Sequence, residues 1–228
     1  MSLDQPKYFY QFAGVHSLLI GLLPFFIPVL LWQRGVPLAQ ISAFIAITGI
    51  GFIGTLWYWD RLRSQQRWSL MVALSLVAEA LLVGALLLQH SMFILILTAL
   101  IYGAYNCLYW STQRALFSRV TCHNNTGKTF GNFQILVVIL LKLGILIGGF
   151  LLANHGIDSI GWLSIVIAIV GLLYLAKQQR GHHVDDSITE EPALTIKEIV
   201  GFKDKQNSKL TFVVDGPFLF FESYFWVL

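Results

Sequence analysis

Residues 130–152 read FGNFQILVVILLKLGILIGGFLL, 23 residues with a single charge, Lys142. A helix needs about 20 predominantly apolar residues to cross the hydrocarbon core of a bilayer. This stretch has that length, and no water-facing surface could be made from it. It therefore reads as a transmembrane helix, and the residues around it decide how many more there are.

Working outward, five further runs have the same character: Tyr8–Trp32, Ile41–Trp59, Ser69–Leu88, Met92–Trp110 and Ile160–Leu175. Another, Leu210–Leu228, reaches the last residue without a flanking charge, as expected of a seventh helix that is incomplete. Composition agrees. Apolar residues make up 56% of the 228 and charged residues 12%, where a soluble domain has roughly one-half and one-quarter. Mean hydropathy is +0.69. The first run is too long for a signal-peptide core and no small-residue cleavage site follows it, so it is expected to stay as a helix, kinked by Pro24 and Pro28.

Orientation follows from the basic residues. Lys7, the Arg61/Arg63/Arg67 loop, the Arg114/Arg119/Lys128 loop and the stretch from Lys177 to Lys209 fall on one side, and together hold 13 of the 15 Lys and Arg residues. The other side has only Arg34, and Lys142 lies within a helix. Positive loops mark the cytoplasmic face, so the N-terminus is expected inside, in a multi-pass protein of the plasma (inner) membrane. Trp32 and Trp162 then fall near the outer interface, and Trp57, Trp59, Trp68 and Tyr174 near the inner one. The expected organisation is a six-helix bundle over 1–175, a charged cytoplasmic linker over 176–209, and the incomplete seventh helix over 210–228. Within the linker, 193–202 has the spacing of a short interfacial helix.

Six helices, a long cytoplasmic linker and another helix resemble the first half of a major facilitator superfamily transporter. Asp60–Arg61, with Arg63 and Arg67, is similar to the family's acidic-basic loop after the second helix, although Leu56 and Arg63 stand at its glycine positions. Gly144–Ile145–Leu146–Ile147–Gly148–Gly149 is similar to the family's fifth-helix motif, with Ile145 where proline is usual. Arg114, Arg119 and Gly127–Lys128–Thr129–Phe130–Gly131 resemble its turn between helices four and five. The resemblance implies an all-α, polytopic transmembrane helical bundle of two inverted three-helix repeats. It also implies a second six-helix half, in the same chain or another subunit, and a gating role for Asp60, Arg61 and Arg114. Gly144, Gly148 and Gly149 have the spacing that lets two helix backbones approach, which is a packing role.

An ionisable residue deep in a membrane helix is costly and faces a cavity or a partner. Lys142, Glu79 and Glu222 meet that description. Lys142 is read either as a counter-charge for an anionic substrate or proton-carrying carboxylate, or as half of a structural Glu–Lys pair. Glu79 ranks below it, because the third helix of the resembled family usually lies outside the central cavity. Tyr102, Tyr105, Asn106 and Tyr109 share one helical face, which would line a substrate path or pack against a neighbour. His16 is a weaker candidate, since a lone histidine in a helix is more often structural.

No HExxH, GxSxG, phosphate-binding loop or Cys/His cluster is present, so neither enzyme chemistry, a metal nor a cofactor is expected. Cys107 and Cys122 form no framework and read as free thiols. The basic residues punctuate apolar runs, so nucleic acid is not an expected partner; the lipid bilayer and a small solute are. The expected function is a secondary transporter moving a small solute by alternating access, with proton coupling open. The alternative is a non-transporting half-bundle that dimerises or anchors a partner.

Overall fold

The computed structural model describes residues 5–88, 91–121 and 126–179, together with 192, 193 and 195. Glu222, the seventh run and nearly all of the linker lie outside the described residues.

The first span is helix α1 (Gln5–Leu22), a 3₁₀ turn (Pro24–Phe26) and helix α2 (Ile27–Gln33). Proline has no N–H to continue the ladder and its ring crowds the carbonyl four residues back. The helix accordingly breaks at Leu23 (φ −129°) and restarts, with Pro28 tolerated in the first turn of α2. Gly35, at φ +77°, ends α2 while the Val36 amide bonds the Leu31 carbonyl at 3.0 Å, as a left-handed glycine cap does. Helices α3 (Leu38–Ser64), α4 (Trp68–Leu87) and α5 (Met92–Val120) form the second to fourth spans. Ser91 caps α5, its side chain accepting from the Ile94 amide at 3.3 Å.

Helix α6 (Thr126–Gln179) holds the fifth and sixth spans. The sequence suggests a loop over 153–159, but helix continues through it and one residue makes the turn. Gly156 sits at φ 77°, ψ −179°, which side-chain-bearing residues avoid. The contacts show that the chain reverses there. Along the limb before it, the Tyr10 hydroxyl donates to the Thr129 carbonyl, Gly21 lies on Gly144, and Phe26 lies by Gly149. Numbers rise together, so α1 and this limb are parallel. Along the second limb, Gly171 faces Val15 and the Gln11 amide donates to the Tyr174 hydroxyl at 3.0 Å. Here the numbers run oppositely. Among the described residues five helices are long and apolar enough to cross a membrane, and the fifth, Thr126–Lys177, has 52 residues, so it crosses twice. The result is an all-α membrane bundle of six crossings.

Helix α1 is its centre: Phe9, Phe12, Ala13, Leu19 and Leu22 have no exposed surface. Large apolar side chains instead cover the outside, Ile53 and Leu146 each 71% exposed. That is unfavourable against water and natural against lipid. Two crossings bring backbones into direct contact. A Cβ on Gly21 would strike the Leu141 carbonyl and come within 2.9 Å of the Ile145 nitrogen, and one on Gly144 would strike the Leu18 carbonyl. In the same way a Cβ on Gly103 would strike the Thr48 carbonyl, and one on Gly51 the Leu100 carbonyl. Gly148 is likewise closed by the Leu22 carbonyl, so the glycine motif does pack, against α1.

These crossings join the first span to the fifth and the second to the fourth. Exchanging spans one, two and three with four, five and six turns either crossing into the other. The third and sixth spans, joined where Gly161 meets Leu87, exchange with each other. Successive spans alternate in direction, so the exchange also inverts them, as two inverted three-helix repeats require.

Candidate functional site

The most polar place inside the bundle lies where α1, α4 and α5 meet. His16 and Glu79 have no exposed surface, and His16 Nδ1 is 3.3 Å from Glu79 Oε2. The other ring nitrogen, Nε2, is 2.9 Å from Ser75 Oγ, one helical turn before Glu79 on the same face. The Ser75 hydroxyl has one proton and gives it to the Val72 carbonyl at 2.8 Å. His16 Nε2 must then carry the proton in its bond to Ser75, an assignment made from partners. What remains between Nδ1 and Oε2 is room for one proton.

Tyrosines from α5 close the site. The Tyr109 ring lies 4.5 Å from the His16 ring and that of Tyr105 5.9 Å from it, both tilted by little more than 30°. The Tyr105 hydroxyl lies against the Glu79 carboxyl. Neither that hydroxyl nor either Glu79 oxygen makes a well-formed hydrogen bond among the described residues. Buried polar groups are nearly always satisfied, so three such groups meeting here single this place out as a candidate site. Phe12, edge-on to His16 at 4.8 Å, seals the other side.

Polar contacts continue from Tyr109 beyond the site. Gln113 Nε2 donates to the Tyr109 hydroxyl at 3.3 Å, and Gln113 also lines a groove of about 360 Å³ between α5 and the first limb of α6. Arg114 lines the same groove.

The sequence-derived candidates thus separate. His16, Glu79 and Tyr109 come together, with Tyr105. Tyr102 is half-buried and stacks between Phe44 and Tyr105, while Asn106 is half-buried on the same helix. Lys142 is exposed, on a different face of α6 from the glycines that meet α1. Asp60 pairs with Arg63, three residues on, at 2.8 Å. Arg61 instead lies over the Trp57 ring at 3.8 Å. Ser75 and Gln113 escaped sequence reasoning. The i, i+4 spacing of Ser75 and Glu79 was the available signal for the first; Gln113 had none, its role depending on which way α5 is turned. No three His, Cys, Asp or Glu side chains cluster to hold a metal among the described residues.

Comparison with individually curated proteins gives no match. The family model of the Major Facilitator Superfamily matches residues 9–228, which covers nearly the whole chain and all six crossings. Topology, the paired glycine crossings and this match agree: the chain belongs to the Major Facilitator Superfamily of membrane transporters.

Proposed function

We propose that this protein moves a small solute by alternating access and is driven by a proton held between His16 and Glu79. The reading rests on one observation, the 3.3 Å contact of two fully buried ionisable side chains on different spans. With one shared proton the pair is neutral overall, whether as imidazole and carboxylic acid or as imidazolium and carboxylate. Without it, two acceptors face each other and a net negative charge is left in a dry interior, which is expensive. Release of the proton therefore favours a conformation that admits water, and proton binding favours the closed one. That difference in affinity between two states is what coupling requires.

The N-terminus faces the cytoplasm of the plasma (inner) membrane, supported by the basic loops. A second six-helix half, from this chain or another, completes the solute path.

The test is transport into proteoliposomes from a panel of labelled solutes. Wild type accumulates at least one solute up an imposed pH gradient. Glu79→Gln loses accumulation and keeps solute exchange between equal pools, because only the proton step is removed. Accumulation by Glu79→Gln at the wild-type rate would place the coupling elsewhere; no solute moved by either protein would favour a non-transporting bundle.

A further inference from the structure

Beside Arg114 lies a groove that the His16–Glu79 pair does not enter. Its volume, about 360 Å³, lies within the range of small-molecule sites, roughly 300–1,000 Å³. Trp110 and Phe117 of α5 and Phe130 and Phe133 of α6 form its walls. The last three are held as a cluster, with Phe117 to Phe133 at 5.8 Å and Phe117 to Phe130 at 6.1 Å between ring centres. Phe9 of α1 backs them, 5.7 Å from Phe117. Such rings offer a preformed slot for a flat apolar body.

Its polar side is equally specific. Among the described residues Arg114 is the single charged residue of the lining, and no Asp or Glu lines the groove. Among the described residues no carboxylate pairs with its guanidinium. A guanidinium binds carboxylate, phosphate or sulfonate through two parallel hydrogen bonds. The Gln113 and Gln134 amides add donors beside it. Gln113, 4% exposed, also donates to Tyr109, whose ring packs on His16. A ligand that draws the Gln113 amide away from Tyr109 thus alters the surroundings of the proton site directly.

We propose that this groove binds a small aromatic carboxylate, the ring among the four aromatic side chains and the carboxylate on Arg114; this names a solute class for the transport reading above and rests on it. A lipid headgroup offers the same combination of anion and apolar body, and the experiment separates the two.

The experiment uses the full chain in phosphatidylcholine nanodiscs, with 2-naphthoate as probe. Saturation-transfer NMR titrations compare it with 2-naphthylmethanol, which lacks the charge, and acetate, which lacks the ring. Naphthoate binding is expected to be saturable and at least ten-fold tighter than either comparator. Arg114→Gln, an exposed position that should not disturb folding, is expected to weaken it ten-fold or more, with Arg114→Lys between. Equal binding by Arg114→Gln, or equal binding of the alcohol, overturns the proposal. Native mass spectrometry from phosphatidylglycerol bilayers supplies the lipid arm. Equal lipid retention by wild type and Arg114→Gln is expected; loss of one bound phosphatidylglycerol in the variant assigns the guanidinium to lipid and also overturns it. Binding requires no transport, so its failure here leaves the Glu79→Gln result standing on its own.

Discussion

His16 Nδ1 and Glu79 Oε2 lie 3.3 Å apart although 63 positions separate them in the chain, and neither side chain has any exposed surface. The contact ties the first span to the third at mid-depth. Removing one partner of a buried pair costs about 3–5 kcal/mol, because the other is left uncompensated. His16→Leu and Glu79→Leu are each expected to cost about 3 kcal/mol. The double variant is expected to cost less than their sum by about 1–3 kcal/mol. Unfolding measured in mild detergent checks this; strict additivity would mean the two side chains do not act as a pair.

The glycine crossings predict a sharp contrast. Gly103→Ala and Gly21→Ala force a Cβ into a facing backbone and are each expected to cost about 2 kcal/mol or more. Gly54→Ala meets no atom within 4 Å, and replacing a helix-interior glycine there is expected to stabilise by up to about 1 kcal/mol. Thermal melts of the three variants read the difference, and equal losses at Gly54 and Gly103 would refute the close approach.

Arg34, the lone basic residue of the sparsely charged side, donates from Nη1 to the Leu86 carbonyl at 2.8 Å. It thereby satisfies one of the free carbonyls at the end of α4. Arg34→Ala is expected to cost about 1.5 kcal/mol, the low end of what a hydrogen bond to a charged group is worth, because Arg34 is exposed. Arg34→Gln is expected to recover part of it. Loss with no recovery would point to the charge, through topology, rather than to the cap.

Lys142 is exposed on the bundle at a depth where lipid would be a poor neighbour for a charge. It is therefore expected to face water or a carboxylate supplied from beyond the described residues. Lys142→Cys should react with a membrane-impermeant cationic thiol reagent. Val170→Cys, on the exposed apolar side of the sixth span, should not. Equal protection of both would place Lys142 against lipid.

The spans were legible because length, hydropathy and loop charge are local properties, and each of the six runs has its helix. The turn at Gly156 was not, since polar residues 153–159 suit a loop as well as the helix ends they form. Pro24 and Pro28 did announce the break in the first span. At the site, the sequence shows which residues are out of place in a membrane and not which of them meet. Lys142 and Glu79 look alike in a hydropathy reading. Only the rotation of α4 and α1 about their axes buries Glu79 against His16, and that rotation depends on packing between residues far apart in the chain. Tyr102 and Tyr109 likewise share a helical stripe, yet α5 presents one to Phe44 and the other to His16.

The two backbone-on-backbone crossings also have a mechanical meaning. Gly21 with Gly144 rivets the first span to the fifth, and Gly51 with Gly103 rivets the second to the fourth. Each pair behaves as one stiff beam. Between the beams, where the first span faces the fourth, the contact is made by rings, Phe12 and His16 against Tyr105 and Tyr109, and side chains can slide where main chains cannot. Bending of the bundle is thereby steered into the seam between the first and fourth spans, and His16, which stands on that seam, passes the movement on to Glu79 of the third span.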